Sequence, residues 1–144
     1  MPGKIVAFDF DGVICNSTEE CLITGYNAWL RYSGRDGFVD AVERIPAALA
    51  DYFRPLRSLV RTGGQYFVLF HSFEQRPLAG ESDFDRECRA YAQEIIAYEK
   101  LFFQCRSVLR ERDPGYWLSL LAPYDGVLSG IAAIMQRGGV YIVT

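Results

Sequence analysis

Two aspartates and a glycine near the start of the chain form the pattern in this sequence that is best suited to chemistry. Asp9 and Asp11 stand two residues apart, directly before Gly12. Carboxylates this close repel each other unless a cation or phosphate-binding groups offset the repulsion. A divalent metal ion meets that need most simply, and glycine lets the backbone turn tightly and approach a ligand such as phosphate. The spacing therefore predicts a metal or phosphate site at these residues.

The residues before the two acids predict a buried strand. Residues 5–8 are a short apolar run of β-branched and aromatic type, which is typical of a strand covered on both faces of a parallel sheet. Ligands of open α/β sheets bind beyond the carboxyl ends of the strands. The run would therefore place Asp9 and Asp11 at such an end. The alternative is a strand that ends by chance in an acidic turn, since short motifs also occur without function.

Residues 8–17, whose sequence is Phe-Asp-Phe-Asp-Gly-Val-Ile-Cys-Asn-Ser, resemble the first motif of the haloacid dehalogenase (HAD) superfamily, phosphatase type. The resemblance implies that Asp9 is the nucleophile, which forms an aspartyl-phosphate, and that Asp11 is the general acid and base. It also implies that Mg²⁺ binds the carboxylate of Asp9 and the main-chain carbonyl of Asp11. Dehalogenases and phosphonatases of that superfamily keep no acid at the second position, so Asp11 favours a phosphatase or a phosphomutase.

The end of the sequence extends the resemblance. Residues 140–143 form a second buried-strand pattern, and Thr144 after it matches the family's second motif, a Thr or Ser that holds the transferring phosphoryl group. A hydroxyl at the end of a strand can donate to a phosphate oxygen. The family's third motif, a Lys or Arg, and its fourth, an acidic pair, are absent from this sequence. We therefore expect a truncated core and no useful phosphatase activity from this chain alone.

The long stretch between the two motifs shows mostly helical patterns. Ser17 and Glu20 predict a capping box for a helix that ends at Gly34. Further helices are predicted by apolar spacing and by turn residues over 36–50, 51–62 and 83–112, with a last one ending at Gly138. The continuous apolar run over 65–73 fits a buried helix or a strand, and the helical patterns around it favour a helix. This stretch resembles the family's inserted helical cap, which closes over the site and selects the substrate.

The predicted fold class is therefore α/β. It consists of the start of a HAD-like Rossmannoid core, with parallel strands, and a large inserted α-helical cap domain. Residues 1–16 are predicted to form the first core strand and the catalytic loop, and residues 17–124 the helical cap. Residues 125–144 are predicted to return to the core with a helix and a second strand.

Three arginines in the predicted cap could take part in binding. Arg54, Arg57 and Arg61 are three and four residues apart, which places them on one face of the helix predicted over 51–62. Such a charge run is ordinarily a solvated face. The alternative is that Arg57 and Arg61 bind an anionic substrate, because arginine makes bidentate contacts with carboxylate and phosphate. Arg54 is the weaker candidate because it stands beside Pro55.

Composition restricts the classes of partner. A net charge of −3 gives no support for nucleic-acid binding, and no apolar run approaches the roughly 18 residues of a membrane span. The start of the sequence lacks the pattern of an export signal, which predicts a cytoplasmic protein with reduced cysteines. The four cysteines have no zinc-binding spacing, and the single histidine, His71, is more typical of a structural role.

The function that these patterns predict is Mg²⁺-dependent hydrolysis of a small phosphorylated metabolite through an aspartyl-phosphate. A phosphomutase uses the same two acids and stays open. A non-catalytic binding module, made of the cap and a relic core, also stays open, as does a helical domain with a chance pair of aspartates. The long helix could pack within the cap or against a second copy, so a homodimer through the cap helices is a further expectation.

Overall fold

The computed structural model describes residues 5–143, and most of these residues are helical. Three short 3₁₀ turns also occur, at Val42–Arg44, Arg57–Leu59 and Gly63–Gln65. In chain order the other elements are β1 (Ile5–Asp9), β2 (Cys15–Asn16), α1 (Thr18–Tyr32), α2 (Ala47–Leu56), α3 (Tyr66–Gln75), α4 (Glu81–Ala90), α5 (Ala92–Arg112), α6 (Pro114–Ser119), β3 (Ala122–Pro123), α7 (Val127–Met135) and β4 (Gly139–Val143).

The hydrophobic core lies between α1, α2, α3 and α5. Its largest fully buried side chains are aromatic and aliphatic residues from all four helices. α1 packs closely against α3 because Gly25 has no side chain: a Cβ there would lie 2.7 Å from the ring of Phe70 on α3. The hydroxyl of Tyr98 on α5 donates to the backbone oxygen of Gly25 at 2.6 Å, which satisfies a buried polar group. No helix within residues 5–143 is both long and apolar enough to cross a membrane.

The helix predicted over 65–73 is confirmed as α3, but three other predicted helices have different bounds. The helix predicted over 36–50 does not form as one piece, because Pro46 precedes α2 and fixes an extended entry to it. The helix predicted over 51–62 ends at Leu56, directly after Pro55, and gives way to the 3₁₀ turn Arg57–Leu59. The helix predicted over 83–112 is interrupted at Tyr91, whose backbone is non-helical and whose ring packs on His71 at 4.5 Å.

The strands predicted near both ends of the sequence are present, and they pair in parallel. Ile5 is opposite Gly139 and Asp9 is opposite Val143. The prediction that these strands are buried on both faces is wrong. Ile5 is 69% exposed and Ile142 is 54% exposed, because helix α7 packs near β4 without burying a residue of its own.

The predicted α/β fold with a Rossmannoid core is therefore also wrong. Within residues 5–143, the parallel sheet consists of β1 and β4 alone, and β2 and β3 form a separate two-residue antiparallel pair. A Rossmann-like core needs a parallel sheet that helices cover on both faces. In this chain the helices instead pack on one another, and the apolar core belongs to them.

The antiparallel pair β2–β3 joins the helical and strand-forming parts. Cys15 is opposite Pro123 and Asn16 is opposite Ala122, and the backbone N–H of Tyr124 donates to the carbonyl of Ile14 at 3.0 Å. The chain thus leaves the strand region and returns to it at adjacent points. We call residues 18–120 the helical unit, and β1, α7 and β4 with their turns the strand unit.

Candidate functional site

The two predicted catalytic aspartates lie where β1 ends and the chain turns. Asp9 is the last residue of β1, and Asp11 is in the following turn. Two backbone N–H groups, those of Ile14 and Cys15, donate to the carbonyl of Phe10 at 3.0 and 3.2 Å, which closes the turn. Gly12 has a φ of 76°, a left-handed conformation that other residues rarely adopt. The turn predicted at this glycine is therefore present.

A cavity of about 580 Å³ lies between this turn and the helical unit. Asp9 and Asp11 line it from the strand unit, and Arg57, Arg61 and Arg106 line it from the helical unit. We call it the Asp–Arg cavity. Its remaining wall includes Tyr66, Glu99, Phe102 and Phe103. The structure thus brings together four residues that the sequence analysis proposed from separate segments, and it adds a third arginine.

Arg57 reaches the cavity from the 3₁₀ turn after α2. Its Nη2 donates to the hydroxyl of Ser17 at 3.3 Å, and its guanidinium lies 5.6 Å from the centre of the Tyr66 ring. Its Nε is buried and has no hydrogen-bond partner among the described residues. A buried donor without an acceptor is unfavourable by about 1–3 kcal/mol. This orphaned N–H therefore points to an acceptor supplied by a ligand.

Arg61 is positioned by a loop, not by a helix. Its Nη1 donates to the carbonyl of Ser58 at 2.6 Å, and its backbone N–H donates to the side chain of Gln65 at 2.7 Å. Thr62 and Gln65 form a capping box, which fixes the loop beside α5. The prediction that Arg54, Arg57 and Arg61 share one helical face is therefore wrong, because the helix ends before Arg57.

Arg54 faces a different part of the surface. Its Nε donates to Glu19 at 2.8 Å and its Nη1 to Asp51 at 3.2 Å. Arg54 is not one of the described residues that line the Asp–Arg cavity. The ordinary interpretation, a solvated basic edge, thus applies to Arg54, whereas Arg57 and Arg61 both line the cavity.

Arg106 is the cavity residue that the sequence analysis missed. It comes from α5, and its Nε and Nη2 donate to the two carboxylate oxygens of Glu20 at 2.9 and 2.7 Å. Burial lowers the pKa of Arg106, but the Glu20 carboxylate raises it, and the net direction is upward. The guanidinium therefore keeps its charge. These two residues are far apart in the sequence and follow no local spacing, so no motif could have paired them.

Glu20 consequently has a role other than the predicted one. The capping box predicted for Ser17 and Glu20 is absent, since Ser17 makes no side-chain capping bond. The carboxylate of Glu20 is only 1% exposed and also accepts hydrogen bonds from Thr24 at 2.9 Å and Trp117 at 3.3 Å. With the thiol of Cys21 at 3.6 Å and the two nitrogens of Arg106, five donor atoms from four side chains hold this carboxylate in place. It fixes Arg106 at the cavity wall.

The thiols near the cavity are held in their neutral form. Burial, with a further contribution from Glu20, raises the pKa of Cys21. Burial and the nearby Asp11 raise the pKa of Cys15 to about 11. Burial likewise raises the pKa of the Tyr66 phenol. Because the thiolate and not the thiol is the nucleophilic form of cysteine, the raised pKa values of Cys15 and Cys21 do not favour a reactive cysteine here.

The remaining predicted site residues lie elsewhere. Gly12 shapes the turn after β1 and borders a smaller neighbouring cavity, which Ser17 and Arg57 also line. Thr144, the predicted phosphoryl-binding hydroxyl, lies outside the described residues. His71 stacks on Phe67 at 5.2 Å and lies in the packing between α3 and Tyr91, in agreement with a structural role.

The donor set of the cavity bears on the predicted Mg²⁺ ion. Within residues 5–143 no group of three or more His, Cys, Asp or Glu side chains could hold a metal ion. Asp9 and Asp11 together supply two carboxylates to one cavity. Mg²⁺ is ordinarily bound through one or two carboxylates, with water and substrate phosphate oxygens completing its octahedron. The pair fits Mg²⁺ in that mode, without a cage made of protein ligands alone.

Comparisons with protein-family profiles, curated proteins and solved structures found no match to this chain. The resemblance to the HAD superfamily consequently depends on the few residues of its motifs. The geometry of the Asp–Arg cavity indicates what this chain could do chemically.

Proposed function

We propose that the Asp–Arg cavity is a phosphoryl-transfer site, and that the protein is a Mg²⁺-dependent phosphohydrolase acting on a small phosphorylated molecule through an aspartyl-phosphate at Asp9. One observation carries the proposal. Two carboxylates at the end of a strand share a cavity with three arginines from a separate part of the chain. Carboxylates supply the nucleophile and the proton carrier of such a reaction, and arginines bind its anionic substrate.

The arginines would offset the repulsion between the aspartates and an anionic substrate. A phosphomonoester is anionic and would be repelled by Asp9 and Asp11 alone. Arg57 brings a buried N–H without an acceptor, and Arg61 lines the same wall. Charge-assisted hydrogen bonds from guanidinium to phosphate are short and are roughly twice as strong as neutral ones. These residues would hold the phosphoryl group against the carboxylate that attacks it.

In the first step a carboxylate oxygen of Asp9 attacks phosphorus, and the bond between phosphorus and the leaving oxygen breaks. The protonated form of Asp11 gives its proton to that oxygen, so that the alcohol leaves neutral. In the second step the Asp11 carboxylate takes a proton from water, and the water oxygen attacks phosphorus. The Asp9–phosphorus bond then breaks, which releases inorganic phosphate and restores both acids. When bound, Mg²⁺ would neutralise charge on the phosphoryl oxygens.

The helical unit supplies the environment for these steps. Tyr66 and Phe102 line the cavity and are almost fully buried, so part of its wall is aromatic and closely packed. Electrostatic interactions are stronger where water is excluded. Glu20 contributes by holding Arg106, and does so without lining the cavity itself. Thr144 stays a predicted phosphoryl contact.

The proposal is tested by trapping the phosphoryl group on Asp9. The chain is incubated with Mg²⁺ and acetyl phosphate, whose leaving group needs no proton from Asp11. In the Asp11→Asn variant the first step can occur, but water is no longer activated. We expect this variant to gain the mass of one phosphoryl group, mapped by peptide mass spectrometry to Asp9. The measurement needs only a single turnover, so it does not depend on fast catalysis.

Four comparisons make the test decisive. Asp9→Asn combined with Asp11→Asn should remain unlabelled, and omission of Mg²⁺ should suppress labelling. Arg57→Gln should lower the labelling rate by about tenfold or more, because one charge-assisted contact is worth about 1.5–3 kcal/mol. The matched variant Arg54→Gln lies outside the cavity and should label at the normal rate. Labelling that survives loss of Asp9, or that never occurs with a folded protein, would refute the proposal.

The fate of the phosphoryl group then separates hydrolase from phosphomutase. With Asp11 intact, release of inorganic phosphate to water is the expected outcome. Transfer of the group from Asp9 to an added sugar hydroxyl would identify a phosphomutase, which the same two acids allow.

A further inference from the structure

We infer that the alcohol part of the substrate carries an aromatic ring and no second anionic group, and that the ring packs on Phe103. This inference rests on the proposed function, because it describes the non-reacting part of the molecule whose phosphoryl group Asp9 attacks. Two features of the Asp–Arg cavity support it. One is an exposed phenyl ring at the end of a buried aromatic stack, and the other is the charge balance of the cavity wall.

The aromatic stack begins in the core and ends at the cavity. The ring of Phe53 stacks on Tyr66 at 5.5 Å, and Tyr66 stacks on Phe102 at 5.0 Å. Phe102 then meets the ring of Phe103 edge-on, at 5.6 Å and an interplanar angle of 86°. The first three rings are buried, but Phe103 is 50% exposed and lines the cavity.

A half-exposed phenyl ring on a cavity wall is a stacking surface. Its inner edge is fixed by Phe102, and the guanidinium of Arg106 lies 5.7 Å from its centre, so the ring has little freedom to turn away. Aromatic rings gain about 0.5–1.5 kcal/mol from such pairs beyond the burial of their area. A cavity of about 580 Å³ also has room for more than a phosphoryl group, since drug-sized ligands occupy cavities of roughly 300–1,000 Å³.

The charges of the cavity exclude a second anion. Three carboxylates line it, those of Asp9, Asp11 and Glu99. Arg106 is already neutralised by Glu20, and among residues 5–143 no carboxylate lies within salt-bridge distance of Arg57 or Arg61. When Asp11 carries the proton that it donates in the first step, these two arginines balance the carboxylates of Asp9 and Glu99. A Mg²⁺ ion and a phosphoryl dianion balance each other, so no cation is left for a substrate carboxylate or a second phosphate.

Glu99 indicates what the far end of the substrate carries. Its carboxylate accepts a long hydrogen bond from the backbone N–H of Gly64, at 3.3 Å, and has capacity for further donors. A hydroxyl or amino group on the aromatic part would satisfy it. The substrate class is thus a phosphomonoester of an alcohol that bears an aromatic ring and a hydrogen-bond donor.

The test compares dissociation constants for four phosphates on the Asp9→Asn protein with Mg²⁺, by isothermal titration calorimetry. Phenyl phosphate carries the ring, cyclohexyl phosphate a ring without π electrons, ethyl phosphate no ring, and phosphoglycolate a second anion. We expect phenyl phosphate to bind most tightly, roughly tenfold more tightly than ethyl phosphate. Phosphoglycolate should bind no better than ethyl phosphate.

Phe103→Leu, which keeps an apolar side chain, should abolish the preference for phenyl phosphate and leave the affinity for ethyl phosphate within about twofold. Ile96→Ala is the matched control, because Ile96 is 57% exposed on the same helix and does not line the cavity. Any of three results would overturn the inference while the proposed function stands. They are equal affinity for phenyl and cyclohexyl phosphate, a preference for phenyl phosphate that survives in Phe103→Leu, and tighter binding of phosphoglycolate than of ethyl phosphate. Failure of all four phosphates to bind would refute the proposed function itself, and the inference with it.

Discussion

The helical unit and the strand unit differ in how far their apolar residues are buried. In the helical unit the rings of Phe53, Phe67 and Phe102 are fully buried against neighbouring helices. In the strand unit, Tyr141 and Met135 are largely exposed, although the local sequence is as apolar as that of the core. Apolar composition alone therefore does not determine burial. A residue is buried only where a second layer of structure covers it.

The Asp–Arg cavity lies between these two units, and its chemistry is divided between them. The proposed nucleophile and proton carrier belong to the sparsely packed strand unit, and the arginines proposed to bind an anion belong to the densely packed helical unit. The helical unit can thus hold the substrate rigidly, whereas the acids depend on β1 and its turn for their position. Four expectations test this division.

The largest effect should come from removing a ring from the helical core. Phe53→Ala should lower the free energy of unfolding by about 3–5 kcal/mol, because the cavity left behind cannot fully collapse. Ile142→Ala in β4 should cost less than about 1 kcal/mol, since its side chain is already half exposed. Urea denaturation followed by circular dichroism measures both. Comparable losses would show that the strand pair belongs to the same cooperative core.

The second effect on stability should come from replacing Glu20, the buried acid that holds Arg106. Glu20→Gln should destabilise the fold by about 2–3 kcal/mol, because it leaves the Arg106 charge without its carboxylate. The neighbouring variant Glu19→Gln breaks an exposed pair with Arg54 and should cost at most about 1 kcal/mol. Denaturation of the two variants side by side provides the measurement. If both variants lose the same free energy of unfolding, the buried Glu20–Arg106 pair stabilises the packing of α1 on α5 no more than an exposed pair would.

Substitution of alanine for one glycine in each unit should change the free energy of unfolding in opposite directions. A Cβ added to Gly64 would lie 2.5 Å from the backbone oxygen of Ile95, so Gly64→Ala should destabilise by about 1–3 kcal/mol. At Gly130 in α7 a Cβ meets nothing within 4 Å, so Gly130→Ala should stabilise by up to about 1 kcal/mol through helix propensity. Thermal melts of both variants provide the measurement. Melting temperatures that shift in the same direction would contradict the packing described.

The last effect depends on pH and is expected at the junction of the two units. The pKa of Cys15 is raised from 9.0 to about 11 by burial and by Asp11, so the folded state holds this proton more tightly than the unfolded chain does. Its contribution to stability is therefore complete below pH 9 and is lost as the pH rises through about 11.

The measurement compares the unfolding free energy of the protein with that of Cys15→Ala from pH 8 to pH 11. The difference should shrink as the pH rises. Alkylation by iodoacetamide at pH 8 should modify the half-buried Cys88 before Cys15. Rapid modification of Cys15 at that pH would show that the junction is open to water.

Several features could be predicted from the sequence because their causes are local. The acidic turn after β1 follows from an apolar run, two aspartates and a glycine that accepts a left-handed conformation. The helix α3 was favoured over a strand only by the helical patterns around its apolar run, because the run by itself fits either element. The candidate site residues Asp9, Asp11, Arg57 and Arg61 were identified by residue type and spacing, although the helix proposed to unite the arginines ends before two of them.

Other features were decided only by tertiary structure. Arg106 enters the cavity because Glu20, from the distant helix α1, holds it there, and a capping pattern in the sequence concealed that role. The apolar runs of β1 and β4 predicted buried strands, but strand formation requires only local propensity and a pairing partner. Burial requires a covering layer, which these residues do not have, because the helices between them bury their apolar faces against one another. Sequence thus determined which groups could react, and packing determined which of them meet.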